Sequence, residues 1–309
     1  MMLGIEAIAS YIPAQRVSNR ERMAQFEVDE AFLRGKIGVL NRAQKAAGEE
    51  TSDMALAALQ RLLAETGLAP EEIQALIVVT QNPDSNLPHV SALVHGRAKL
   101  PPACAAFDIS LGCSGYVYGL SVLQSFMAAN GLARGVLITC DPYSKVIDPE
   151  DKNTVLLFGD AATATLLGPS PRLVCGPFEF GTQGEMADAL ACREGVLHMN
   201  GREVFTFAVT AVPKNIDKLL VKAGLEKDAV DSYLFHQGSR YIVEMLTKRI
   251  GLERDKVRMD IEETGNTVSS SIPLLLVREL ENRSAKLLVL CGFGVGLSWA
   301  SCVCRRVGD

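Results

Sequence analysis

Three short apolar runs constrain the fold most: ALIVVTQNPD (75–84), ACAAFDIS (103–110) and GVLITCD (135–141). Each is aliphatic or β-branched, as strands covered on both faces are. Between the N-terminus and these runs, TSDMALAALQRLLAETG (51–67) reads as a helix. Thr51, Ser52 and Asp53 are its N-cap candidates, and Gly67 stands where a C′ residue belongs. VLLFGDAATATLLG (155–168) reads as strand, turn, strand. The plan then returns. SYLFHQ (232–237), KVRMDIEE (256–263), KLLVLCGFG (286–294) and LSWASCVCRR (297–306) read as strands. Helices fit 203–222, 239–250 and a stretch from Ser269 to Asn282. Pro213 and Pro273 fall within or near first turns, where proline kinks or starts a helix. The expected class is α/β, in two β/α halves, 1–168 and 169–309, that share an element order rather than residue identity.

The chain has 309 residues, 48% hydrophobic and 22% charged, which suits an ordered globular protein. A net charge of −5 gives no electrostatic footprint for nucleic acid. MMLGIEAIAS lacks the basic and long apolar regions of a signal peptide, and no stretch approaches the roughly 18 apolar residues of a membrane span. The expectation is a cytoplasmic enzyme. Its eight cysteines are scattered, mostly in apolar segments, and read as reduced, buried thiols. Cys302 and Cys304 alternate on the last strand without nearby histidines, so no metal site is expected.

DISLGCSGYVYGL (108–120) sets Cys113 beside Gly112, near Gly115, ahead of a helix that is apolar around most of its circumference. At that N-terminus the helix dipole is expected to lower the thiol pKa. A plain buried cysteine fits the same residues. A nucleophile needs partners. Of four histidines, His236 alone directly follows a strand-like run and precedes a helix, at the strand end where α/β sites gather. ETGNTVSSSIP (263–273) offers Asn266 on a polar turn, and CGFGVGLSW (291–299) a glycine turn able to aim a backbone N–H at an oxyanion. Each also has an ordinary structural reading as a turn or core residue.

Taken with KIGVLNR (36–42), TQNPDSNLP (80–88), DKNTVLLFGDAATATLL (151–167), NGREVF (200–205), FHQGSR (235–240), TGNT (264–267) and GFGVGLSW (292–299), these stretches place the chain in a known pattern. It resembles, end to end, the β-ketoacyl-acyl-carrier-protein synthase III family of the thiolase-like superfamily. The resemblance implies a five-layered α-β-α-β-α fold of two pseudo-symmetric halves, and a homodimer. It implies a catalytic triad of Cys113, His236 and Asn266, with the backbone N–H groups of Cys113 and Val295 as oxyanion hole. Cys113 would take an acyl group from a coenzyme A or carrier-protein thioester. Malonyl-acyl-carrier protein would then decarboxylate and condense with it. No metal or cofactor is implied. Coenzyme A and phosphopantetheine thioesters enter as substrates.

Three positions depart from the housekeeping pattern. Lys36 and Lys152 stand where arginines contact coenzyme A, keeping charge but losing bidentate phosphate binding. Leu87 stands where a phenylalanine often enters the partner subunit's acyl pocket. Arg240, Lys248 and Arg249 lie where the family docks acidic carrier proteins, a role shared with any solvated charged face. Cys291, near where a thiolase places a second cysteine, reads as a buried strand residue. Two other readings remain: a same-fold acyltransferase of secondary metabolism using a different acceptor, and a non-catalytic partner subunit.

Overall fold

The computed structural model describes residues 2–308. In the first half, five strands assemble in the order β3-β2-β4-β5-β1: β1 Gly4–Tyr11, β2 Ala75–Val79, β3 Ala105–Ile109, β4 Gly135–Cys140 and β5 Ala162–Gly168. β2 lies parallel to both β3 and β4, while β5 runs antiparallel to β4 and β1. Every residue of β2, β4 and β5 is buried, as the apolar runs require. The second half adds β6 Leu173–Thr182, β7 Ser232–Phe235, β8 Leu287–Gly294 and β9 Ser298–Arg306, in the order β7-β8-β9-β6. One pairing, Ile5 with Leu173, joins the two sets into a nine-stranded sheet.

The two orders match position for position. β6, β9, β8 and β7 repeat β1, β5, β4 and β2 with the same parallel and antiparallel senses. The place of β3 is taken by Val257, which makes a single parallel bridge to Tyr233. The strand expected over 256–263 is therefore reduced to that bridge; Lys256 ends a 3-10 turn, and the rest is turn and irregular backbone. The strand expected from 155 is also absent. Lys152–Val155 is a short helix, and Phe158 only bridges Asn266.

Six main helices cover the strands: α1 Thr51–Thr66, α2 Val90–Arg97, α3 Gly115–Asn130, α4 Gly201–Ala223, α5 Arg240–Ile250 and α6 Ser271–Glu281. α3 packs on β2 and β4 from one side and on β8 and β9 from the other, and α6 lies against β1, β7 and β8. These two form the middle layer. α1 and α2 close the first-half face, and α4, with α5 packed on it, closes the second, giving the five-layered thiolase-like arrangement. Between the two strand sets α3 buries Tyr116, Val117, Leu120, Leu123 and Met127, while Val122 and its last turn stay exposed. Gly119 lets Leu137 and Val79 approach it closely. α1 is capped by Glu50, whose N–H donates to Asp53 Oδ2 at 2.8 Å, and Gly67 ends it at φ 69°. Pro213 sits deep inside α4 rather than in a first turn, whereas Pro273 lies in the first turn of α6.

Candidate active site

Cys113 sits two residues before α3, on a turn closed by the Gly115 N–H donating to the Gly112 carbonyl at 2.8 Å. β8 passes directly behind it. A Cβ added at Gly292 would lie 2.5 Å from the Cys113 carbonyl oxygen, and one at Gly294 would lie 2.7 Å from its sulfur. On the other side, a Cβ at Gly112 would lie 2.5 Å from Gln81 Oε1 and 2.8 Å from Val295 Cγ1. The glycines here are demanded by backbone and side-chain approach. Val295 lies on the turn between β8 and β9. Ser298 Oγ donates to the Val295 carbonyl at 2.9 Å and meets Ser114 Oγ at 2.7 Å, so that turn is pinned to the start of α3.

His236 follows β7, with its N–H donating to the Cys291 carbonyl at 2.8 Å. Its Nδ1 meets Ser271 Oγ at 2.7 Å and its ring stands edge-on to Phe293. Asn266 Nδ2 reaches His236 Nε2 at 3.4 Å and the Gly238 carbonyl at 3.5 Å, while its Oδ1 accepts the Val268 N–H at 2.9 Å. Residues 157–159 hold Asn266 by its backbone. The Asn266 N–H donates to the Leu157 carbonyl at 2.9 Å, and the Gly159 N–H donates to the Asn266 carbonyl at 3.0 Å.

The thiol is not activated in the way the dipole argument expects. Burial first, then the Asp141 charge, pushes Cys113 up to about 12; the N–H groups of Val295 and of Cys113 itself pull the other way without prevailing. Desolvation outweighs the helix end. Burial likewise drives His236 down to about 3, only partly offset by the Val268 carbonyl. At neutral pH the pair is a thiol and a neutral imidazole. The Ser271 hydroxyl can donate or accept, and it also reaches the Val268 carbonyl at 3.0 Å. It therefore supports Nε2 with or without a proton.

Cys113, His236 and Asn266 all line one cavity of about 360 Å³, otherwise walled by Ile37, Leu157, Phe158, Leu190, Met199, Phe293 and other apolar groups. Such a largely apolar cavity with a few convergent polar groups suits a ligand site. Lys36 lines it too, its ammonium 3.8 Å from the centre of the Tyr241 ring, which stacks on Phe205. Lys152 does not line it. Its Nζ donates to the Phe26 carbonyl at 3.4 Å and stands 5.4 Å from the Phe32 ring centre, while Asn153 takes the lining position. Leu87 is 82% exposed and away from this chain's own cavity. Arg240 is half-buried and faces Glu244 and Glu262 at 3.9 and 3.7 Å, so its charge is largely neutralised. Lys248 and Arg249 are exposed in the last turn of α5, where cations suit the helix dipole.

Residues 107–184 match the 3-oxoacyl-[acyl-carrier-protein (ACP)] synthase III family, and residues 220–306 match its C-terminal part. A β-ketoacyl-[acyl-carrier-protein] synthase III 1 of Halalkalibacterium halodurans is 37% identical over 98% of each chain. The chain belongs to the β-ketoacyl-acyl-carrier-protein synthase III family. A 3-oxoacyl-(acyl-carrier protein) synthase from Burkholderia xenovorans superimposes with a TM-score of 0.91 at 34% identity, covering 100% of this chain and 95% of that one. The priming β-ketosynthase of the R1128 polyketide pathway gives 0.90 at 27% identity, covering 100% and 97%. This synthase III is accordingly a condensing acyltransferase. Among the described residues no helix is long and apolar enough to cross a membrane.

Sequence reasoning passed over three features. Arg202, exposed in the first turn of α4, joins Lys36 among the lining residues, although NGREVF stands in the sequence only as one of the stretches that carry the resemblance. Phe32 lines the same cavity. Cys175, on β6, lies opposite Cys304, their sulfurs 2.8 Å apart with Cys302 3.8 Å from Cys304. These buried thiols are close enough to share a metal ion, which the spacing of Cys302 and Cys304 alone does not reveal. Cys291 is a buried residue of β8.

Proposed function

We propose that this synthase condenses an acyl thioester primer, carried by coenzyme A or acyl-carrier protein, with malonyl-acyl-carrier protein to give a 3-oxoacyl thioester. The observation that carries the reading is the convergence of Cys113, His236 and Asn266 on one apolar cavity, with the Val295 and Cys113 N–H groups at the sulfur. The two halves, 1–168 and 169–309, each supply part of it. As Cys113 Sγ attacks the thioester carbonyl, its proton passes to His236 Nε2, and the N–H pair holds the oxyanion. Collapse expels the primer's thiolate, which takes the proton back and leaves as a thiol. Malonyl thioester then loses carbon dioxide. Exchange with water in the cavity moves the single ring proton of His236 from Nδ1 to Nε2, and Nδ1 then accepts the Ser271 hydroxyl. His236 Nε2 and Asn266 Nδ2 donate to the thioester oxygen of the resulting enolate. Its carbon attacks the acyl-Cys113 carbonyl, and the Cys113 thiolate leaves and is reprotonated. No step calls on a metal or cofactor.

Lys36, Lys152 and Arg202 are the cations available to a phosphate of the substrate arm, and Arg240, Lys248 and Arg249 those nearest an acidic carrier. A homodimer completes the site. β3 ends the sheet with only β2 beside it, and its residues are all half-buried in the single chain. A second copy pairing there would bring the exposed Leu87 toward the other acyl pocket. Leu87→Phe is then expected to shift the preferred primers toward shorter chains, read as adduct yield across a series; an unchanged profile rejects that role. Free thiols throughout fit the cytoplasm.

The test is incubation with a panel of acyl-coenzyme A and acyl-carrier-protein thioesters, read by intact mass, followed by malonyl-carrier protein. An adduct discharged as a 3-oxoacyl product with release of carbon dioxide is expected. An adduct discharged only by another acceptor, without carbon dioxide, would instead identify the secondary-metabolism reading. The observation behind that reading is lysine in place of arginine at Lys36 and Lys152. No adduct with any thioester would mark a silent partner subunit.

A further inference from the structure

The mechanism leaves two fully buried carboxylates unused, Asp141 and Asp160. Asp141 follows β4 and has no exposed surface. Its Oδ1 accepts the Gln81 backbone N–H at 2.6 Å and the Thr80 hydroxyl at 3.5 Å, and its Oδ2 accepts the Ser269 hydroxyl at 2.8 Å. The side chain of Gln81, whose Oε1 accepts from Tyr143 at 3.1 Å, is the one packed against Gly112, beside Cys113. Ser269 lies between Asn266 and Ser271, the hydroxyl that holds His236. The same carboxylate thus touches the support of all three site residues.

We propose that Asp141 is a positioning residue of the condensing site. Its carboxylate ties the turn backing Cys113 to the turn bearing Asn266 and Ser271. Its charge adds to the burial that keeps Cys113 protonated at rest. The groups that face Asp141 are Thr80, Gln81 and Asn82 from the turn after β2, Ser269 from the turn before α6, and Cys113, Cys140 and Tyr143. None is a cation. Burial therefore raises its carboxyl to about 6 despite four hydrogen-bond donors, so it is mostly ionised at neutral pH. A neutral amide would fill the same space and keep the Gln81 N–H on its Oδ1, and its Nδ2 would meet the Ser269 hydroxyl as a donor instead of an acceptor. A buried charge without a cation is weakly justified by stability alone. Position beside the nucleophile supplies the reason to retain it.

The inference rests on Cys113 as the acylated residue, and its test separates the two. Asp141→Asn removes the charge but keeps the shape. Alkylation of Cys113 by iodoacetamide, followed by peptide mass mapping against pH, is expected to titrate at lower pH. At neutral pH it should speed up about five- to tenfold, as a larger thiolate fraction requires. Exposed Cys192 is the internal reference. The kcat for condensation should fall about tenfold with KM little changed, as misplacement of reacting groups gives. Ser269→Ala loosens the tie while keeping the charge, so it should lower kcat and leave the alkylation titration in place. An Asp141→Asn enzyme that loses activity with an unmoved titration overturns the proposal, since lost packing alone does that. So does a moved titration with unchanged kcat in both variants. Acylation of a Cys113→Ala enzyme would instead overturn the assignment of Cys113, leaving the alkylation result standing.

Discussion

Cys113→Ala is expected to abolish the covalent adduct with every acyl thioester and to lower condensation on the order of 10⁵-fold. The size of the effect follows from what surrounds the sulfur. His236, pushed down to about 3, and Cys113, pushed up to about 12, form a neutral pair, so no other group nearby is a ready nucleophile. The other buried thiols cannot substitute. Cys291 points its sulfur toward Asn215 on α4, at 4.0 Å, and Cys140 is directed at the Thr51 carbonyl. The fold should be spared, because the missing sulfur only enlarges an existing cavity rather than opening a new one. Intact mass and a thermal melt on the same sample check both halves of the expectation. An acyl adduct on the alanine enzyme, or a lost adduct accompanied by a collapsed melting temperature, would remove the chemical interpretation.

Much of the framework is legible in the sequence because burial on both faces writes itself as uninterrupted apolar runs. β2 and β4 are of that kind. The same signal misleads at 155–158, where Val155, Leu156, Leu157 and Phe158 are apolar because they fill core beside Asn266, not because they pair in a ladder. At 256–263 alternation suggests a strand, yet only Val257 bridges, since this is the sheet's outer position and the following turn must reach Asn266. β6 is hidden by Gly176 and Pro177, and with it the partner of Cys304. The candidate site residues stand out from local motifs, but their meeting depends on two matching sheet orders that bring the ends of β3, β7 and β8 together. The dipole at α3 can be anticipated from residues. The depth of burial that overrules it cannot, because it is set by α6 and β8, far away in sequence.

Gly159→Ala tests how that meeting is held, and should be the most damaging of the small substitutions. A Cβ at Gly159 would overlap the Thr264 carbonyl oxygen and lie 3.1 Å from the Ala43 carbonyl oxygen. Both obstacles are backbone, so neither can swing aside as a side chain does. The Ala43 N–H itself donates to the Thr264 carbonyl at 3.0 Å, and the Asp160 N–H donates to the Ala43 carbonyl at 2.8 Å. Three segments are stitched together at this point, and an inserted methyl must part them. Overpacking of this kind costs about 1–3 kcal/mol in compliant cores and more where backbone must move. We expect a loss of at least about 3 kcal/mol in urea unfolding. Residues 157–159 also carry Asn266 through two backbone hydrogen bonds. Any Gly159→Ala enzyme that still folds should therefore form the acyl adduct on Cys113, which lies on another turn, yet fail to discharge it with malonyl-carrier protein. Stability and discharge both at wild-type levels would show that the Asn266 turn is positioned from elsewhere.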